Sequence, residues 1–175
     1  GHGVRMQNDK AESGYWLPSN ADAPPRDTNW VSNEFITRHL ARLNAKRVLI
    51  VADSCYAGLL SSSPDFLIVG NQQSSAEFLR YKASKRSRLL LTSGGDKPVL
   101  DSAGEKHSIF TSAFIDTLKN NQDILTGPEL FKAIHSRVVV DSAKVDFEQE
   151  PQYRVIKGAG HEIGDFFFVP QRKQG

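Results

Sequence analysis

Arg47-Val48-Leu49-Ile50-Val51-Ala52-Asp53-Ser54-Cys55-Tyr56-Ala57-Gly58 is the stretch that decides the fold of this chain. Its first half, residues 48–52, is an unbroken apolar run rich in β-branched side chains. Such a run predicts a strand that is buried on both faces, as in parallel sheets. In open α/β sheets, reaction sites lie just beyond the carboxyl ends of the strands. Cys55 follows closely after this strand and is therefore a candidate reactive residue, and Gly58 lets the backbone turn beneath the thiol.

Cys55 is the single cysteine of the sequence. A lone cysteine is more often a small buried hydrophobic residue than a nucleophile, but here the neighbours Asp53, Ser54 and Tyr56 are polar. A thiol needs a base near neutral pH, and His2 lies 53 residues upstream (55 − 2) between two glycines. Gly-His-Gly alone is commonly a surface loop. A histidine about 50 residues before the cysteine, however, is typical of one class of cysteine peptidases.

Gly1-His2-Gly3 and residues 53–58 together resemble the caspase-like cysteine peptidases of the peptidase C14 type. They are most similar to the bacterial metacaspase, or orthocaspase, branch. The resemblance continues through residues 91–95, 107–110 and 159–166, so it covers nearly the whole chain. It implies a caspase-like α/β fold in which helices flank a mostly parallel central sheet.

The resemblance also implies a domain organisation. Residues 1–175 would form one peptidase domain, with a large-subunit-like part at 1–88 and a small-subunit-like part at 89–175. In the family, several strands and helices precede the catalytic histidine. We therefore expect a domain that is incomplete at its N-terminus and has the missing N-terminal part as a partner. Residues 1–3 would then be a loop that follows a preceding strand.

The motifs of the family, carried over residue by residue, imply the catalytic roles. Cys55 would be the nucleophile, and His2 would act first as a base and then as an acid. The backbone N–H groups of Gly3 and Cys55 would form the oxyanion hole. The substrate-binding residues would be Ser93, Gly94, Asp96 and Asp101, together with Asp53.

Asp53 indicates the specificity. Caspases that cut after aspartate carry glutamine at this position, whereas metacaspase-like enzymes carry an acid and cut after arginine or lysine. A carboxylate in the first specificity pocket would pair best with the guanidinium fork of arginine. The resemblance therefore implies protein or peptide substrates with a basic P1 residue. Alternatively, Asp53 caps the turn that follows the strand. Metacaspases usually have His-Ser after the cysteine, where this chain has Tyr56 and Ala57.

Further patterns predict the elements around this site. Helices are indicated over residues 77–82, after Ser108, after a capping box at residues 126–129, and after Ser32, where Phe35, Ile36, His39, Leu40 and Leu43 recur at helical spacing. Residues 15–18 are strand-like, and residues 89–92 and 166–169 predict buried strands. We expect residues 59–76 to form a loop beside the active site, residues 152–160 to be irregular, and the basic residues between 80 and 88 to be a solvated flank.

The composition excludes several functional classes. The formal net charge is +2 and its charges are interspersed, so no strong field indicates nucleic acid as a partner. No apolar stretch approaches the roughly 20 residues that cross a bilayer. The single cysteine excludes an internal disulfide framework and fits a reducing compartment, so we expect a cytoplasmic location.

No cofactor is required by these motifs. His161 lies near Glu162 and Asp165, but no recognised metal-ligand spacing completes the set, so a structural hydrogen bond is the expected role of His161. Some metacaspases bind calcium through clustered aspartates, and the scattered candidates here are Asp22, Asp27 and Asp65.

Together these features predict a cysteine endopeptidase that hydrolyses peptide bonds after Arg or Lys through a Cys-His dyad. One alternative is a catalytically silent caspase-like scaffold or partner-binding module. Another is a thiol hydrolase that acts on esters or small amides.

Overall fold

The computed structural model describes residues 1–8, 11–54, 60, 75–95 and 107–170. Its strands are β1 (His2–Asn8), β2 (Ala11–Leu17), β3 (Val31–Ser32), β4 (Arg47–Ala52), β5 (Ser87–Thr92), β6 (Leu125–Thr126), β7 (Gln152–Val155) and β8 (Phe167–Phe168). Its helices are α1 (Asn33–Arg42), α2 (Ala76–Ser84), α3 (Ile109–Lys119) and α4 (Gly127–Ala143). This mixture of helices and strands agrees with the predicted α/β class.

β5 is the middle strand of a sheet with the order β4-β5-β7. β4 and β5 run parallel, with Ala52 opposite Thr92, whereas β7 runs antiparallel to β5. Every residue of β5 is buried. β4 pairs with one neighbour in the described sheet, and Val51 is 40% exposed. The prediction of a strand buried on both faces is therefore wrong for residues 48–52, although it describes β5.

The sheet separates two apolar clusters. On one face, Leu89 and Leu91 pack with Phe110 of α3 and Ile134 of α4. On the other face, Leu90 packs in a cluster that includes Leu40 of α1. The alternation of side chains along β5 thus supplies both clusters, and helices cover both faces of the strand.

The predicted helix starts are confirmed by their caps. Ser32 Oγ accepts a hydrogen bond of 3.1 Å from the N–H of Phe35. At the start of α4, Thr126 and Glu129 form the reciprocal bonds of a capping box, with Pro128 in the first turn. The predicted apolar face of α1 is only partly correct, because Phe35 and Leu43 are 47% and 44% exposed.

β1 and β2 form an antiparallel hairpin in which His2 lies opposite Leu17, and β3 pairs with the second strand at Tyr15 and Trp16. The prediction that residues 1–3 form a loop is therefore wrong from His2 onward. β1 has no continuous apolar run, so cross-strand pairing with β2 is what fixes it as a strand. The strand-like character of residues 15–17 is confirmed.

The C-terminal part departs from the sequence-based expectation at two points. Residues 152–160 begin with β7, which pairs with β5, so the prediction of an irregular segment is wrong there. The predicted buried strand at residues 166–169 shortens to β8, which is half-buried and pairs with β6. Val169 is 69% exposed, because this two-residue pairing lies outside the sheet of β4, β5 and β7.

Arg88 overturns the prediction that the basic run is a solvated flank. Its side chain is fully buried, and its guanidinium donates hydrogen bonds to carbonyl oxygens at the end of α1 and beyond it. The acceptors are Leu40 O at 3.1 Å, Leu43 O at 2.9 Å, Lys46 O at 3.3 Å and Ser87 O at 2.8 Å. A cation among the terminal carbonyls of a helix also meets the negative end of its dipole. Arg88 therefore ties α1 to the start of β5.

Candidate active site

The two sequence motifs meet at the carboxyl end of β4. The nitrogen of Gly1 donates a hydrogen bond of 2.8 Å to the carbonyl oxygen of Asp53, across 52 residues of sequence. A side chain at Gly1 would also lie 3.8 Å from Ser54 Cβ. The fold thus brings Gly1-His2-Gly3 next to the residues that lead into Cys55, at the edge of the sheet where α/β proteins place their reaction sites.

His2 begins β1, immediately after this contact, and its side chain is exposed. Gly3 lies opposite Trp16 in the hairpin. Cys55 lies outside the described residues, as does the remainder of its motif at residues 56–58. The Cys-His dyad and the oxyanion hole therefore stay predictions.

The side chain of Asp53 contacts the first turn of α3. Thr111 Oγ1 donates a hydrogen bond of 2.6 Å to Asp53 Oδ2, and Ser108 Oγ donates to the same oxygen. Ser108 is also the N-cap of α3, where its Oγ accepts from the N–H of Thr111 over 2.9 Å. Sequence reasoning predicted a helix after Ser108 but gave no signal that Ser108 would contact Asp53.

Ser93 and Gly94 lie directly beyond β5, and both are buried. The N–H of Ser93 donates to Ala52 O over 3.1 Å, which extends the pairing of β5 with β4 by one residue. The carbonyl of Ser93 accepts a buried hydrogen bond of 2.9 Å from Gln149 Nε2. Asp96 and Asp101 lie outside the described residues, as do residues 61–74 of the predicted loop.

Two glutamines that sequence reasoning missed support the segment after β5. Gln149 is 4% exposed, and the side chain of Gln152 lies against Gly95 so closely that a β-carbon there would overlap its amide. Gln152 is the first residue of β7, and Gln149 lies in the polar stretch that joins α4 to β7. Its composition resembles that of an ordinary loop, so only the pairing of β7 with β5 reveals where these side chains lie.

His161, Glu162 and Asp165 are engaged separately. His161 Nδ1 accepts a hydrogen bond of 3.1 Å from the N–H of Arg88, and burial lowers the pKa of His161. Glu162 Oε2 accepts from the N–H of Arg86 over 2.7 Å, and this hydrogen bond lowers the pKa of Glu162. The structural hydrogen bond expected of His161 is thus present.

Asp165 joins the start of α4 to β7. Its Oδ1 accepts hydrogen bonds from Tyr153 Oη at 2.9 Å and from the N–H of Phe166 at 2.8 Å. Burial raises the pKa of Asp165, and burial next to this carboxylate raises the pKa of Tyr153. The role of Asp165 here is to hold three segments together, because Gly127 at the start of α4 also lies against it.

Within the described ranges, no three His, Cys, Asp or Glu side chains group as metal ligands. Of the scattered aspartates considered for calcium, Asp65 falls outside the described residues. Asp22 uses its carbonyl oxygen to accept from Trp30 Nε1 at 2.8 Å. A search of the described helices found none that is long and apolar enough to span a membrane.

Comparison with known proteins identifies the family. The model of the caspase domain, in the peptidase C14 family, matches residues 1–157. No curated protein and no solved structure was found to match the chain. Together with the mixed helices and strands described above, the match confirms the resemblance and the caspase-like α/β fold. It spans the Gly1-His2-Gly3 motif, the strand that leads into Cys55, and β5. The chain therefore belongs to the caspase-domain family of cysteine peptidases.

Proposed function

We propose that this chain is a cysteine endopeptidase that hydrolyses peptide bonds after Arg or Lys, with Cys55 as the nucleophile and His2 as its base. The observation that carries the proposal is the 2.8 Å hydrogen bond between the Gly1 nitrogen and Asp53 O. It sets the histidine motif beside Asp53, which follows β4 and lies two residues before the cysteine. Membership of a peptidase family supports the same chemistry.

The proposed reaction begins when His2 takes the thiol proton of Cys55. The thiolate then attacks the carbonyl carbon of the scissile peptide bond and forms a tetrahedral intermediate. The N–H groups of Gly3 and Cys55 stabilise its oxyanion. His2 returns the proton to the leaving amine, which leaves an acyl-enzyme. Water, deprotonated by His2, hydrolyses the thioester and regenerates the thiol.

We propose that Asp53 causes the preference for a basic residue at P1. An acid at this position is also what makes the chain similar to the metacaspase branch. Both hydroxyl donors from α3 use Oδ2 of its carboxylate, so Oδ1 lies outside this pair of bonds. The two hydroxyl donors fix the orientation of this carboxylate. An oriented carboxylate at the edge of the sheet suits a guanidinium or an ammonium group.

The proposal is tested with peptide substrates that differ only at P1, comparing Arg, Lys, Asp and Ala. We expect the wild-type protein to cleave after Arg and Lys, and the variants Cys55→Ala and His2→Asn to lose this activity. Labelling by a small thiol reagent distinguishes the alternatives. A thiol that reacts no faster than free cysteine, together with no cleavage, would indicate the silent scaffold. Hydrolysis of esters without hydrolysis of peptides would indicate the other thiol hydrolase.

A further inference from the structure

Gln149 and Gln152 approach the segment beyond β5 from two different positions in the chain. Gln149 precedes β7 and donates its amide N–H to the carbonyl of Ser93 over 2.9 Å. Gln152 is the first residue of β7, lies opposite Thr92 in the ladder, and packs its amide against Gly95. The backbone from Ser93 to Gly95 is thus contacted by a side chain at each end.

The contacts of Ser93 fix its backbone on both sides. Its N–H donates to Ala52 O on β4, and its carbonyl accepts from Gln149. Thr92 is the last position of β5 in the strand ladder. Without Gln149, the carbonyl of the next residue, Ser93, would be the first backbone group beyond the sheet without a hydrogen-bond partner. The amide of Gln149 therefore fixes the backbone of the segment that directly follows β5.

Burial shows that this support has an energetic cost. In the described part of the chain, the amide oxygens of both glutamines, Thr92 Oγ1 and Ser93 Oγ are buried without a hydrogen-bond partner. An unpaired buried polar atom is unfavourable. An apolar side chain at position 149 would fill the same space without an orphaned oxygen. What it could not supply is the donor to Ser93 O, and that donor is what the glutamine contributes.

We propose that Gln149 is a positioning residue. It anchors Ser93, whose own N–H and carbonyl are both used within the protein, and thereby holds the peptide-binding backbone that follows at Gly94 and Gly95, which Gln152 also shapes. This inference rests on the proposed function, because it assigns the peptide to the segment beyond β5. A substrate backbone needs a fixed partner strand if its hydrogen bonds are to form without loss of conformational entropy. Gln149 acts on peptide binding, while Cys55 and His2 act on the bond that is cleaved.

The test uses two reagents that alkylate the same thiol. Iodoacetamide is small and reports only on the reactivity of the cysteine. A peptidyl chloromethyl ketone with arginine at P1 must also bind along the segment. The key variant is Gln149→Met, which keeps the length of the side chain and removes the donor. The control is Ser142→Ala, which removes the hydrogen bond that the buried residue Ser142 donates from Oγ to Val139 O, near the end of α4.

We expect Gln149→Met to react with the peptidyl reagent about tenfold more slowly, the equivalent of one lost hydrogen bond, and with iodoacetamide at the wild-type rate. The loss in peptide hydrolysis should appear mainly in KM. Ser142→Ala should leave both labelling rates unchanged. Equal loss with both reagents, or no loss with either, would overturn the positioning role.

A second variant covers the case in which Gln149→Met does not fold. Gly95→Ala adds a methyl group that overlaps the amide of Gln152, and it should show the same selective loss with the peptidyl reagent. Wild-type rates with Gly95→Ala would overturn the inference. If the wild-type protein itself reacts with iodoacetamide but not with the peptidyl reagent, the proposed function fails, and this is seen before any variant is made.

Discussion

The backbone N–H of Arg88 donates a hydrogen bond of 3.1 Å to Nδ1 of His161. This contact requires an unprotonated Nδ1, since a nitrogen that carries a proton is a donor and not an acceptor. Burial lowers the pKa of His161 below its usual value of 6.5, and the positive charge of Lys82 acts in the same direction. The folded state therefore holds His161 neutral at pH values where the unfolded chain protonates it.

The sign of the pH dependence follows from this difference. Below about pH 6.5 the unfolded state binds more protons at His161, so the free energy of unfolding falls as the pH falls, by at most about 1.4 kcal/mol per pH unit. His161→Asn keeps an acceptor oxygen and cannot titrate. We expect urea unfolding at pH 7 and pH 5.5 to show a smaller decrease for His161→Asn than for the wild type. Equal decreases would contradict the prediction.

Replacing Arg88 should strongly destabilise the protein. Arg88→Met fills a similar volume but leaves the carbonyl oxygens of Leu40 and Leu43 without their guanidinium donor. Hydrogen bonds to charged groups contribute about 1.5–3 kcal/mol each, so we expect a loss of at least about 3 kcal/mol in urea unfolding. Arg88→Lys should recover only part of it, because an ammonium lacks the planar fork. The control is Arg80→Met, at an exposed position on α2, which should change the free energy of unfolding little. Comparable losses for Arg80→Met and Arg88→Met would count against the prediction.

Asp53→Asn tests the specificity directly. If the carboxylate pairs with the P1 side chain, the variant leaves a cation without its anion, at a cost of roughly 3–5 kcal/mol in buried pairs. We expect kcat/KM for arginine peptides to fall by orders of magnitude. The rate of iodoacetamide labelling should change little.

Thr111→Val is the matched control for Asp53→Asn. It removes the 2.6 Å hydrogen bond to Asp53 Oδ2 but keeps the charge. We expect it to lower the free energy of unfolding clearly and to leave the preference for arginine at P1 nearly unchanged. If Asp53→Asn instead cleaves arginine peptides at the wild-type rate while losing as much stability as Thr111→Val, then Asp53 serves only to anchor α3.

Gly127→Ala should be destabilising although alanine normally favours a helix. The added methyl group would lie 2.5 Å from Tyr153 Cζ and 2.8 Å from Asp165 Oδ1. Overpacking of this kind costs about 1–3 kcal/mol. In a Tyr153→Leu background the ring is gone, so the same substitution should cost less, which a double-mutant cycle measures. Additive effects would show that the overlap with Tyr153 is not the cause.

The sequence predicts the local features of this fold better than the pairing of its strands. The caps predicted at Ser32 and Thr126 are confirmed, because a cap depends on side chains within a few residues of the helix start. β7 was missed because its residues, Gln152–Val155, form a strand only through the long-range ladder with β5. Arg88 was misjudged for the same reason, since its acceptors lie more than 40 residues earlier in the chain, apart from Ser87.

The candidate site shows the same division. The spacing between His2 and Cys55 predicts that they act together, and the contact of Gly1 with Asp53 is the long-range pairing that supports it. The environment of Asp53 could not be predicted, because Thr111 reaches it from a helix that begins 56 residues later (109 − 53). No sequence pattern marked Gln149, since the hydrogen bond that its amide donates depends on where the carbonyl of Ser93 lies in space.

The position of Arg88 has a consequence for a chain that is cut. A break anywhere in residues 61–74 would divide the polypeptide into one piece that carries α1 and β4 and another that carries β5. The second piece would still pair with the first along the whole of β4. Its buried guanidinium would still donate to Leu40, Leu43 and Lys46 of the first piece. The two pieces would therefore stay associated although no peptide bond joins them. β5 of the second piece would pair with β4 of the first, and the guanidinium of Arg88 would bind the carbonyl oxygens at and beyond the end of α1.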